Sequence, residues 1–118
     1  MWKYETTITW DSGKEGRLHA GGNPEITVAT PPEFGGPQNR WSPEDLVAGA
    51  VGSCVMTTAI FFLERAGIKP LSYLSNSTAT LEKTGEGLAF TGVAVEVGIS
   101  VAAGDEIEKA YAAVEKAE

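Results

Sequence analysis

The chain has 118 residues, 42% of them apolar and 21% charged, with a net charge of −7 and a pI near 4.7. One domain of this length can bury only a modest core, and an acidic chain whose nine Lys and Arg are scattered is repelled by phosphate backbones and anionic lipid, so neither nucleic acid nor membrane is an expected partner. The single cysteine, Cys54, excludes an internal disulfide framework, and "MWKYETTITW" lacks a basic segment followed by an apolar one, so a cytoplasmic location is expected.

Trp2, Tyr4, Thr6, Ile8 and Trp10 alternate with Lys3, Glu5, Thr7 and Thr9, which predicts a strand with one apolar face. Asp11-Ser12-Gly13 is a turn signal, and residues 16–20 predict a second strand. Gly21 to Pro24 turns again, and residues 25–30 predict a third strand with Ile26 and Val28 on one side. "PPEFGGPQNR", residues 31–40, has too many prolines and glycines for regular structure. Loops of this kind, held by a rigid scaffold, often carry function.

A helix is predicted over residues 43–66. Ser42 suits the N-cap, Pro43 the first helical position, and Asp45, three residues on, can close a reciprocal cap. Gly67 and then Pro70 end it. Eighteen consecutive uncharged residues, Leu46 to Leu63, reach only the lower end of membrane-spanning length. They include Gly49, Gly52, Ser53, Thr57 and Thr58, which favours a buried soluble helix packed closely against other backbone.

Residues 71–83 predict a strand with Leu71, Tyr73, Ala79 and Leu81 on one face, followed by a hairpin turn at residues 84–87. On the returning strand the apolar positions are even at Leu88 and Phe90 and odd from Val93 to Val101, so a β-bulge is expected at Thr91-Gly92. Asp105 is placed to cap a last helix with Ile107, Ala110, Tyr111, Val114 and Ala117 at helical spacing. That helix has no C-terminal cap and carries Glu115 and Glu118 at its end, which reads as a chain cut in mid-helix.

The predicted order is β-β-β-α-β-β-α, an α+β domain with antiparallel hairpins around one long buried helix. Its parts are strands and loop (1–40), the cysteine helix (42–67), a hairpin (70–101) and a truncated helix (105–118). Two short hairpins and one amphipathic helix cannot cover an all-apolar helix, so a homodimer is expected.

A lone cysteine in an apolar helix usually acts as a small hydrophobe. A reactive thiol needs a nearby cation, a helix N-terminus or a hydrogen-bond donor. Cys54 lies too far from the N-cap for the helix dipole, so its cation would have to come from Lys14, Arg17, His19 or Arg40. One histidine beside one cysteine offers no metal cluster, so no metal or other cofactor is expected.

"FGG…WSPEDLVAGAVGSC" resembles the OsmC/Ohr family, the osmotically inducible and organic-hydroperoxide-resistance proteins. The shared pattern is a Gly-Gly loop, Pro-Glu-x-Leu, a run of small residues, and a cysteine ten positions after the glutamate, which Glu44 and Cys54 match. The resemblance implies an intertwined dimer and a thiol peroxidase. Cys54 would attack an organic hydroperoxide, a glutamate and an arginine would hold the thiolate, and a lipoyl-type dithiol would restore it. Two departures stand out: no second, resolving cysteine occurs within the 118 residues, and Lys14 takes the place of the family's arginine, with Arg17 three residues on. Lys14 and Arg17 are both candidates for the thiolate's cation.

Trp41, Phe34, Phe61 and Phe62 flank the cysteine segment and can line an apolar slot for alkyl or lipid hydroperoxides, or serve as ordinary core. Ten helical residues separate Glu44 from Cys54 by roughly 15 Å and about 80°. The two meet only if the helix breaks near Gly49 or Gly52, or if each reaches across a dimer. The alternative is a non-catalytic relative that binds an apolar ligand at the subunit interface.

Overall fold

The computed structural model describes residues 1–102 and 104–117, without the side chain of Asp105. The chain divides into two units, Met1–Leu46 and Val47–Glu118. In the first, strands β1 (Thr7–Ser12), β2 (Glu15–His19) and β3 (Ile26–Ala29) form an antiparallel sheet in that order. The register sets Trp10 beside Gly16 and Val28, and Ile8 beside Leu18 and Ile26. These residues share one face, and Thr9, Arg17 and Thr27 share the other.

The strand expected from Trp2 begins only at Thr7. His19, the last residue of β2, lies opposite Thr7, so residues 2–6 have no backbone to pair with in this unit. Alternation had marked the side-chain faces, but a strand also needs a neighbour. Trp2 and Tyr4 are 86% and 93% exposed in consequence.

The proline-glycine loop is more ordered than its composition implies. It contains one 3₁₀ turn, Pro32–Phe34, closed by hydrogen bonds from Phe34 N–H to the Pro31 carbonyl and from Gly35 N–H to the Pro32 carbonyl. A Cβ on Gly36 would stand 1.6 Å from the Thr30 carbonyl oxygen, so only glycine fits there. The chain then returns beside β3, with Ala29 N–H donating to the Trp41 carbonyl at 2.9 Å.

Helix α1 runs from Pro43 to Arg65. The expected reciprocal cap is present. Asp45 N–H donates to Ser42 Oγ and Ser42 N–H to Asp45 Oδ2, each at 3.0 Å, and Ser42 is buried. At the other end Gly67 adopts φ +75°. Gly67 N–H donates to the Glu64 carbonyl and Ile68 N–H to the Leu63 carbonyl, which satisfies the last turn and seats Ile68 on Leu63.

In the second unit, β4 (Ser72–Thr84) and β5 (Gly87–Ser100) form a long antiparallel hairpin. Thr80 pairs with Gly92 and Leu81 with Phe90, so Thr91 is the bulged residue where the sequence phase switches. Helix α2 spans Asp105–Ala117. The capping role expected of the Asp105 side chain, and Glu118 at the end of the expected helix, lie outside the described residues. Leu63, Ile68, Ala110 and Ala113 form the core, with Ile60, Phe62, Ile99 and Val101 packed against it.

Within one chain α1 buries only the stripe Gly52, Val55, Ala59 and Leu63. At Gly52 it lies close to the hairpin, since an added Cβ there would meet the Ser77 side chain. The rest of the apolar helix is partly or fully exposed, as expected of an element that this chain cannot cover by itself.

Ser42→Ala should lower the unfolding free energy by about 1 kcal/mol, with Ser42→Thr recovering most of it, as measured by urea denaturation. Gly52→Ala gains helix propensity but meets Ser77. Its stability should therefore be higher in a Ser77→Ala background than additivity allows, by roughly 0.5 kcal/mol or more in a double-mutant cycle.

Candidate functional site

Cys54 is exposed on α1, one residue before buried Val55. Helical spacing puts Ala50, Thr57 and Phe61 on the same face. The nearby hydroxyls are bound back to the helix. Ser53 donates to the Gly49 carbonyl, and Thr57 Oγ1 shares its proton between the carbonyls of Ser53 (3.1 Å) and Cys54 (3.2 Å). In this arrangement neither hydroxyl is free to donate to the thiol. α1 is continuous across Gly49 and Gly52, which removes a helix break as the way to bring Glu44 to Cys54.

Glu44 lies in the first turn of α1, where negative charge suits the helix dipole. Its Oε1 is buried and has no hydrogen-bond partner among the described residues. A buried carboxylate oxygen without a donor is costly, and such a group invites a cation.

The cations proposed from the sequence now separate. Arg17 Nη2 lies 3.1 Å from Asp11 Oδ1, its Nε donates to the same oxygen at 3.2 Å, and its Nη1 lies 3.6 Å from Glu25 Oε1. The hydrogen bond and charge of Asp11, and then the charge of Glu25, push the Arg17 pKa up from its ordinary value. His19 Nδ1 also faces Glu25, at 3.4 Å, and Arg40 Nε donates to Glu15 Oε1 at 2.6 Å. Lys14 has no ion pair among the described residues. It lines a cavity of about 310 Å³ with Ile8, Val28 and Pro43, and Pro43 is the residue before Glu44. Lys14 is therefore the uncommitted positive charge near the start of α1.

The four aromatic residues do not behave alike. Phe34 and Trp41 are half-exposed in the first unit. In the second unit Phe62 packs against the core, while Phe61 remains 51% exposed. Their rings meet edge to face at 5.3 Å, Arg65 lies 5.7 Å from the Phe61 ring, and Lys116 lies 5.4 Å from the Phe62 ring. Of the two roles open to these aromatics, Phe62 packs against the core, while Phe61 lies on the exposed face of the Cys54 helix within one chain.

Sequence reasoning missed the carboxylate network around Arg17. Strand alternation places Arg17 and His19 on one face, but only the register brings Glu25 to them. It also missed Tyr73, whose hydroxyl is buried without a partner among the described residues. No group of three or more metal-ligating side chains is present among the described residues.

The family profile described as OsmC-like protein matches residues 36–118. Among solved structures, an OsmC-like protein of unknown function from Vibrio cholerae superposes with a TM-score of 0.80 at 17% identity, over 99% of this chain and 90% of that one. An organic hydroperoxide resistance protein from Legionella pneumophila gives 0.77 at 24% identity, over 99% and 82%. One from Bacillus subtilis gives 0.67 at 17%, over 98% and 84%. At these identities the likeness establishes the fold. No curated protein matches the chain in sequence.

Proposed function

The chain belongs to the OsmC-like protein family, and from that premise we propose that it is a homodimeric thiol peroxidase that reduces organic hydroperoxides with Cys54. The observation that carries this reading is the placement of the chain's only thiol. It is exposed on the α1 face that one chain leaves uncovered, inside the segment that matches the family. Two of the three solved structures described above are organic hydroperoxide resistance proteins, which agrees with a role in peroxide stress.

In the proposed reaction the Cys54 thiolate attacks the outer peroxide oxygen. The O–O bond breaks, the departing alkoxide takes a proton to become an alcohol, and the sulfur retains a hydroxyl as sulfenic acid. An external dithiol of lipoyl type then completes the cycle. Its first sulfur displaces water to form a mixed disulfide, and its second releases Cys54 as the reductant closes into a disulfide. No cofactor or metal enters these steps. Such a cycle suits a reducing cytoplasm, the proposed location.

A thiolate in the fourth turn of a helix gains little from the dipole, so a cation must supply the stabilisation. Lys14 is proposed for that role because Arg17 is already held by Asp11 and Glu25. Glu44, with one buried oxygen unpartnered, would orient the Lys14 ammonium. The second copy would cover the open α1 face and bring Glu44 of one chain toward the cysteine of the other. Phe61 and Trp41, both half-exposed, with Phe34, would border the substrate.

Cumene hydroperoxide should add about 16 Da to the intact protein, and dimedone should trap the product at Cys54. Cys54→Ser should abolish both. A wild-type thiol that stays inert would overturn the reading and leave the apolar-ligand-binding alternative. Lys14→Gln should slow oxidation about tenfold and move the pH–rate midpoint upward, because the thiol loses its cation. Lys14→Arg should restore the rate, and Arg17→Gln should change it less than about twofold. The opposite ranking would assign the role to Arg17.

A further inference from the structure

Beside Cys54 the helix carries a hydroxyl whose orientation is already fixed. Thr57 follows Cys54 by three residues, so the two side chains are neighbours on the surface of α1, with Cβ atoms roughly 5–6 Å apart. Thr57 is exposed, and its Oγ1 turns its single proton inward, to the carbonyls of Ser53 at 3.1 Å and Cys54 at 3.2 Å. A hydroxyl has one proton and two lone pairs. Both of its partners are themselves acceptors, so the helix uses neither lone pair. What Thr57 offers outward is therefore an acceptor beside the thiol. Ser53 has its proton committed in the same way, to the Gly49 carbonyl, but it stands about 100° round the helix from Cys54. Thr58, one turn beyond Cys54, is more buried than Thr57.

An acceptor does nothing for a thiolate, which is itself negative, and it finds no partner in an alkyl chain. It matches the O–H of a hydroperoxide. The sulfur attacks the terminal oxygen, which is the one that bears the proton. A reacting oxygen sits about 3–3.5 Å from its nucleophile, and an O–H···O bond spans about 2.8 Å. One oxygen can meet both conditions between side chains whose Cβ atoms are roughly 5–6 Å apart. We propose that Thr57 Oγ1 accepts the hydrogen bond of the substrate's O–H and so holds the terminal peroxide oxygen against Cys54. This positioning role rests on the peroxidase reading and makes the site selective for electrophiles that carry an O–H. In the step itself a lone pair of the Cys54 thiolate forms the S–O bond, and the O–O pair leaves with the alkoxide, which takes a proton from water. The sulfur is oxidised by two electrons and the peroxide is reduced. The original hydroxyl proton stays on the sulfenic acid, still directed at Thr57. Thr57 neither gains nor loses a proton, so its removal leaves the ionisation of the thiol unchanged.

The test compares two electrophiles on the reduced full chain. tert-Butyl hydroperoxide carries the O–H, whereas methyl methanethiosulfonate reacts with the same thiolate and has no hydrogen-bond donor. Thr57→Val keeps the shape of the side chain and removes the hydroxyl. It should slow oxidation by the hydroperoxide about tenfold, and leave both the rate with the thiosulfonate and its pH midpoint unchanged. An unchanged thiosulfonate rate also shows that the surroundings of the thiol are intact, so the loss is not misfolding. Thr57→Ser, which retains the hydroxyl, should restore oxidation. Equal slowing of both reagents, or no slowing in Thr57→Val, would overturn the role of Thr57 and leave the peroxidase reading standing. A larger loss in Thr58→Val than in Thr57→Val would overturn it as well, by moving the role to Thr58. A wild-type thiol that reacts with the thiosulfonate but not with the hydroperoxide would overturn the peroxidase reading itself.

Discussion

The contact on which the structure depends is the seating of α1 on the β4–β5 hairpin through a narrow line of residues. Gly52 allows α1 to approach Ser77, and Val55, Ala59 and Leu63 continue the line at helical spacing. Because that line is narrow, Cys54 one residue before Val55 is turned outward with Thr57 and Phe61. The same packing presents a thiol and leaves an apolar face uncovered. A larger residue at Gly52 would lift the helix, and bulk on the hairpin face would displace it in the same way. Small residues here are thus a packing requirement first, and the exposure of the thiol follows from it.

Electrostatics divide the first unit in a comparable way. Asp11 and Glu25 hold Arg17, Glu25 also faces His19, and Glu15 holds Arg40. These pairs are exposed and each contributes little stability. Their consequence is selection, because of the four candidate cations they leave Lys14 without an ion pair among the described residues. Glu44 is the complementary case, a carboxylate with one buried oxygen and no donor to it among the described residues. Lysine provides a compact charge without the planar fork that arginine uses to grip a carboxylate in two places. A site built on Lys14 and Glu44 would therefore be held by charge more than by directed hydrogen bonds.

Much of the fold was legible because it is written locally. The Ser42–Asp45 cap, the glycine stop at Gly67 and the bulge at Thr91 each depend on residues within a few positions of one another. What depends on a partner was not legible. The alternation from Trp2 onward looks like strand, yet β1 starts at Thr7, where β2 begins to lie alongside. The engagement of Arg17 needed the register of β3, and the different fates of adjacent Phe61 and Phe62 needed the position of the core. Cys54 itself was conspicuous from composition alone, being the single thiol in an uncharged run.

The central claim is that Cys54 is a reagent and not a small hydrophobe that happens to be exposed. The most direct measurement is the second-order rate constant for consumption of an organic hydroperoxide by the reduced protein at pH 7, set beside that of free cysteine. A free thiol with its ordinary pKa near 8.5 is only about 3% ionised at pH 7, so activation by a neighbouring cation predicts a rate above free cysteine by roughly tenfold or more. A rate equal to that of free cysteine would show that the surroundings of Cys54 do nothing for its chemistry.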